Sequence, residues 1–379
     1  MKGASQRLAV VVAGLLFAGF AGCSGSGGKD DAADPFKPPP SDAPFPPVRT
    51  SFKVRARLQI PPAVAPRVAI SPDGKLAVSS GDKALHFWSI PEAREVRTLE
   101  VLPAADETGR TGQVLFSPDG KWVATVVPTG PELHKPRLFQ MEGGKEVSHP
   151  IPPNYWDGIA LSPDGNLVAV TGAGEVTPGN DVQVWDLRRS RMLHRFACEE
   201  KAVGNGNTVA FSPDAASLAV GFHWFGRGDR ESNPVPLLQV WDLRTEKEVL
   251  RGWSGGEMKN CEAVAFSPDG RLLAAGGGGR DGLVQLWDVA SKRLLHQLVA
   301  DKGHVYSLAF HPSGQVLATG GNDSTIKLWD VNKGTLIREL AGHTPLETGQ
   351  AMRGLAFSRD GKVLLSVSRS NQLLIWDAD

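Results

Sequence analysis

Three cysteines in 379 residues are too few for a disulfide framework. Tyrosine occurs only twice, and neither charge sign is in surplus, with 41 basic and 41 acidic residues. That balance argues against nucleic acid as a partner and against an acidic solvating tail. Apolar runs are short. The longest, residues 8–20, has 13 residues and falls short of a bilayer span. The nine histidines are scattered, with no His-Glu-x-x-His and no Cys-x-x-Cys, so no metal site is expected. Gly-x-Ser-x-Gly is absent. The glycine stretches Gly276-Gly277-Gly278-Gly279 and Gly172-Ala173-Gly174 sit between expected strands, with no helix following to hold a phosphate. No catalytic constellation and no cofactor site is therefore expected. What the chain has in quantity is turn chemistry, with 43 glycines and 28 prolines, which suits many short strands.

The first residues form a segment of their own. Lys2 and Arg7 precede the apolar run, which ends in Phe20-Ala21-Gly22-Cys23. This arrangement resembles the lipobox of bacterial lipoproteins, except that Phe20 stands where that family usually has Leu. The resemblance implies cleavage before Cys23 and lipidation of its thiol, with residues 1–22 as signal peptide. A simple secretory signal or an uncleaved anchor, with Cys23 incidental, is the plainer alternative. Residues 23–51 are Gly/Ser-rich and then Pro-rich, with Pro35, Pro38, Pro39, Pro40, Pro44, Pro46 and Pro47. They are too poor in apolar residues to fold and fit a tether, extending at about 3 Å per residue. The expected location is the bacterial cell envelope, with the remainder of the chain outside the cytoplasm and held to a membrane by lipid.

From residue 52 onward the sequence is periodic. Ser71-Pro72-Asp73-Gly74 recurs with its Ser at positions 117, 162, 212 and 267, the fourth copy ending in Ala215. His311-Pro312-Ser313-Gly314 and Ser358-Arg359-Asp360-Gly361 are weaker copies. Successive copies lie 46, 45, 50, 55, 44 and 47 residues apart. An apolar strand precedes each turn and another follows it. A third strand ends at Trp88-Ser89, Phe139-Gln140, Trp185-Asp186, Trp241-Asp242, Trp287-Asp288, Trp329-Asp330 or Trp376-Asp377. A fourth segment leads to the next unit. Four strands in about 45 residues, ending in Trp-Asp, make one propeller blade. Residues 52–379 thus resemble the WD-repeat (WD40) family, and the resemblance implies an all-β, seven-bladed β-propeller. Gly303-His304 and Gly342-His343 add that family's Gly-His signature. Blade seven has only Ala378 and Asp379 after its Trp-Asp, while residues 52–58 form a spare strand before blade one. That strand is expected to complete blade seven and remove an exposed edge.

The resemblance also implies a hydrogen-bonded set of His, Ser/Thr, Asp and Trp in each blade. Blade six carries His304, Thr319, Asp323 and Trp329. A catalytic triad is the sharper alternative, but all four stand at scaffold positions, and a buried Trp N–H needs a partner. Blade seven has His343, Ser366 and Trp376, with Ser370 in place of Asp, and blade two has Phe139 for Trp. Cys261 occupies a core position, where a buried free thiol is expected. An oxidising compartment would also permit pairing with Cys198.

Loop lengths vary between second and third strands, at 222–236 and 173–180, and between blades, at 102–112, 252–260 and 344–350. In the family fold these loops share one face near the central channel, and functional loops on rigid scaffolds cluster in this way. Trp224, Phe225, Arg227, Arg230, Tyr155 and Trp253 give them the aromatic and arginine character of binding hot spots. At the channel mouth, aligned positions hold Asp157, Asn207, Glu262, Tyr306 and Arg353. A mixed polar ring suits a protein or peptide partner. An enzyme, or a sugar or small-molecule receptor, using the channel is the alternative, and a purely structural envelope protein is a third.

Overall fold

The computed structural model describes residues 48–62, 66–81, 83–102, 112–128, 133–173, 180–197, 206–223, 236–253, 258–344 and 352–379. Among them, 28 strands form seven four-stranded antiparallel sheets, and no α-helix occurs. The sheets are the blades of a seven-bladed β-propeller. Blades one to six occupy 68–100, 114–147, 155–197, 206–253, 258–301 and 305–341. Blade seven takes Met352–Phe357, Val363–Ser368 and Gln372–Ala378, with Phe52–Gln59 as its outermost strand. Phe52 lies opposite Ala378 and Gln59 opposite Gln372. First strands of successive blades pack against one another at six of the seven junctions, all but that of blades two and three, so they are innermost.

The recurrent tetrapeptide is a self-contained hydrogen-bonded turn. In blade one, Ser71 Oγ donates to Asp73 Oδ1 and accepts from the Leu76 N–H. Asp73 Oδ1 accepts from the Lys75 N–H, and the Gly74 N–H reaches the Ser71 carbonyl at 2.8 Å. Gly74 sits at φ +72°, the left-handed region that favours glycine. In blade six the Nδ1 of buried His311 substitutes for the serine oxygen, accepting from the Ser313 N–H and lying 2.8 Å from Ser313 Oγ. These turns clip first strand to second at one end of every blade. Antiparallel pairing then puts the starts of first strands, the ends of second strands and the long connections together at the other end.

Apolar packing seals blade to blade. Trp88 and Val68 of blade one lie in one buried cluster with Leu365, Val367 and Ile375 of blade seven. Ile60, 2% exposed just past the outermost strand of blade seven, joins that cluster. Phe52 is buried, its ring 5.8 Å from that of Phe357.

The Gly276–Gly279 stretch and Gly172-Ala173 fall inside second strands, Leu272–Gly279 and Leu167–Ala173, and not between strands. Contact explains glycine there. A Cβ on Gly277 would stand 1.8 Å from the Asn260 carbonyl oxygen. Cys261 is fully buried, its Sγ 3.7 Å from the Ala263 carbonyl oxygen, and burial pushes its thiol up to about 12. Cys23 and Cys198 lie outside the described residues.

Candidate functional site

The five aligned mouth residues share a backbone feature that sequence does not display. Each first strand in blades three to seven carries a register shift against its second strand at the mouth position, and blade five has a second shift at Lys259. The residues standing out of the ladder at the mouth are Asp157, Asn207, Glu262, Tyr306 and Arg353. A β-bulge bends its strand and re-aims a side chain. The five bulges sit at the long-loop end of the innermost strands, so they encircle the channel mouth.

Side-chain contacts divide this ring. Glu262 Oε1 accepts from Asn260 Nδ2 at 2.9 Å and lies 3.2 Å from His223 Nε2. Asp157 is 4.0 Å from His134. Toward blades six and seven, the Arg353 guanidinium carbon lies 3.7 Å from the Tyr306 ring centroid, and His304 stacks on Tyr306 with centroids 5.5 Å apart. Arg67 of blade one joins them. Its Nη1 donates to the Arg353 carbonyl at 2.7 Å, a second, longer contact of 3.4 Å reaches the Tyr306 carbonyl, and burial with the Arg353 charge pushes it down to about 10. Arg67 escaped the sequence alignment because blade one has no bulge, and Pro66 stands where the others place their mouth residue.

Tyr155 and Trp253 lie on strands, Tyr155–Leu161 and Lys247–Trp253, opposite Ala173 and Pro236, and not in loops. The strands run further toward the mouth than hydrophobic patterning suggests, because ladder hydrogen bonds continue through glycine. Trp224, Phe225, Arg227 and Arg230 lie outside the described residues.

The scaffold set of blade six is joined in part. Trp329 Nε1 donates to Thr319 Oγ1 at 3.0 Å. Among the described residues, no hydrogen bond links His304 or Asp323 to that pair. Asp323 instead accepts from Thr325 and Lys327. Buried Asp301 accepts from the Gly303 and Asp323 N–H groups at 3.0 Å each. The continuous network belongs to blade seven. Trp376 Nε1 donates to Ser366 Oγ at 2.8 Å, and Ser366 Oγ meets His343 Nε2 at 2.7 Å. His343 Nδ1 meets Ser368 Oγ at 2.9 Å, and Ser368 meets Ser370 at 2.6 Å. Where blades break the pattern, atoms are stranded. Thr125 Oγ1 has no partner because Phe139 lacks an N–H, and Trp287 Nε1 has none because Ala275 stands where Thr319 does.

Burial, reinforced by Arg57, pushes His343 down from 6.5 to about 3. The unfolded chain therefore binds a proton more readily than the fold does. His343 carries no penalty above about pH 6.5, and stability falls by about 1.4 kcal/mol per pH unit as pH drops from there toward 3. Urea unfolding between pH 6.5 and 5 should show this slope, and His343→Gln should flatten it. An unchanged slope in the variant would assign it to other groups.

A cavity of about 300 Å³ lies between blades two and three at the clipped end, lined by Asp119, Trp122, Leu138, Asp164 and Arg188. Its carboxylates are engaged within their own turns by Ser117 and Ser162. Among the described residues no three His, Cys, Asp or Glu side chains could hold a metal, and no helix is long and apolar enough to cross a membrane.

The family model for the WD domain, G-beta repeat, matches residues 66–89, 248–288, 292–330 and 334–377. Those four segments match WD40 repeats. The matched segments cover most of blades one, five, six and seven, and the unmatched stretch includes blade two with its Phe139. The chain is 30% identical over 185 residues to small ribosomal subunit protein RACK1y of Oryza sativa subsp. japonica, covering 47% of this chain and 50% of that one. It is 32% identical over 143 residues to transducin beta-like protein 3 of Bos taurus, covering 37% of this chain and 17% of the relative. With telomerase protein component 1 of Rattus norvegicus it shares 29% identity over 236 residues, which is 61% of this chain and 8% of the relative. The chain thus spans half or less of the length of each.

Proposed function

We propose that this protein is a membrane-tethered interaction scaffold that binds a protein or peptide through the long-looped face of its propeller. The observation that carries this reading is the ring of five bulges, which present Asp157, Asn207, Glu262, Tyr306 and Arg353 at one channel mouth. A polar rim with aromatic and arginine groups on a rigid ladder suits recognition. Tyr155 and Trp253 stand at strand ends on the same face. The other end is built of short, internally satisfied turns and offers few groups to a partner. Two relatives bear names of components in larger assemblies, a telomerase component and a small ribosomal subunit protein, which is in keeping with a scaffold.

The tether is Cys23, lipidated after removal of residues 1–22, and it places the propeller on the outer side of a bacterial membrane. Mass analysis of the N-terminal peptide tests this, and an unmodified Cys23 would reject it. The interaction is tested by crosslinking and mass spectrometry on the full chain, compared with Trp224→Ala/Phe225→Ala/Arg230→Ala. Loss of the crosslinked partner in the triple variant is expected. An identical partner set would remove that loop from the interface. The channel's polar lining also fits a small-molecule receptor, for which a ligand would raise the melting temperature through Asp157, Glu262 or Arg353.

A further inference from the structure

We propose that blades six, seven and one form a cationic arc that binds a carboxylate of an acidic peptide segment. This deepens the reading of the long-looped face as a partner surface and rests on it.

The case begins with Arg353. Its guanidinium lies flat against Tyr306, a geometry that stacking and cation–π attraction both favour. Its Nε is buried and has no hydrogen-bond partner. Among the described residues no acceptor and no ion-pair partner faces any of its five donors. A buried donor without an acceptor costs free energy that a ligand can return. The platform also holds the plane of the guanidinium fixed, which lowers the entropy lost when a planar acceptor docks.

Surrounding charge points the same way. Arg67 is tied by its Nη1 to the Arg353 carbonyl, which places a second guanidinium beside the first. Burial lowers the proton affinity of both, the Arg353 charge lowers that of Arg67 further, and Arg369 adds to the repulsion felt by Arg353. Two carboxylates stand nearby, and both are engaged elsewhere. Glu262 takes Asn260 and His223, and Asp301 takes the Gly303 and Asp323 N–H groups. Among the described residues these three guanidiniums have no direct counter-ion, and with one of them pre-stacked they call for a planar anion with two acceptor oxygens. A carboxylate matches that fork geometry. Across the ring, Asp157 would repel a second acid placed there. An extended segment with its acid toward blades six and seven satisfies both sides, and a small diacid does not.

The probe is fluorescent hexaglutamate, titrated into the full chain and followed by anisotropy. Saturable binding that weakens as salt is raised is expected. Arg353→Gln and Tyr306→Leu should each weaken it by about tenfold or more with the melting temperature unchanged. Hexalysine should not bind. Absence of hexaglutamate binding, or equal binding by Arg353→Gln, overturns the proposal. So does free glutamate displacing the probe as well as unlabelled peptide does, since that would make the site one for small carboxylates. The scaffold reading fails separately. A crosslinked partner captured equally by the parent and by Arg353→Gln preserves the interface and removes only the acidic assignment.

Discussion

Ser366→Ala should destabilise the propeller by about 2–4 kcal/mol, more than any other single hydroxyl removed from a blade. Ser366 is fully buried and serves two neighbours, accepting from Trp376 Nε1 and meeting His343 Nε2. Alanine leaves both ring nitrogens buried without partners, and each stranded group costs about 1–3 kcal/mol. Thr319→Val is the comparison, because Thr319 accepts from Trp329 alone, with no histidine behind it. Its expected cost is about 1–2 kcal/mol. Denaturant unfolding of both variants measures the difference. A Ser366→Ala cost no greater than that of Thr319→Val would show that the blade-seven network adds nothing beyond its tryptophan bond.

Deleting residues 51–60 should have a still larger effect. The deletion removes the outermost strand of blade seven and bares Gln372–Ala378 along its whole length. It also removes Phe52 and Ile60 from buried positions. Truncating a large core side chain costs about 2–5 kcal/mol, so losing two with a strand approaches the total stability of an ordinary domain. The uncovered edge would in addition offer unpaired N–H and C=O groups to other chains. The expected result is a melting temperature lowered by more than about 10 °C, with aggregates in size-exclusion chromatography. A truncated protein as stable and monomeric as its parent would show that the ring does not depend on this strand.

Blade count and turn positions were legible in sequence because the Ser-Pro-Asp-Gly turn is local. Its serine, aspartate and glycine satisfy one another within six residues, so the pattern survives wherever the turn does. The mouth ring was legible as an alignment column but not as a set of bulges. A bulge depends on which strand lies alongside, and hydrophobic patterning is blind to one inserted residue. Arg67 was missed for the same reason, since its role comes from carbonyls more than 200 residues away. Among the described residues His304 does not reach Thr319 as the Gly303-His304 dipeptide implied. Three positions upstream, Asp301 ends its strand facing Gly321, and the absence of a side chain at Gly321 gives that carboxylate its room. Blade seven looked incomplete in sequence, yet Ser368 bridges the gap that Ser370 alone could not.

The five bulges have one further consequence. A residue standing outside the ladder can be exchanged without shifting the register of its neighbours or disturbing the faces packed between blades. Asp157, Asn207, Glu262, Tyr306 and Arg353 thus stand outside the ladder that sets the register. The mouth behaves as a set of sockets, each free to take a new side chain while the ring beneath keeps its closure. Changing the partner of such a protein would require rewriting a few sockets and refolding nothing.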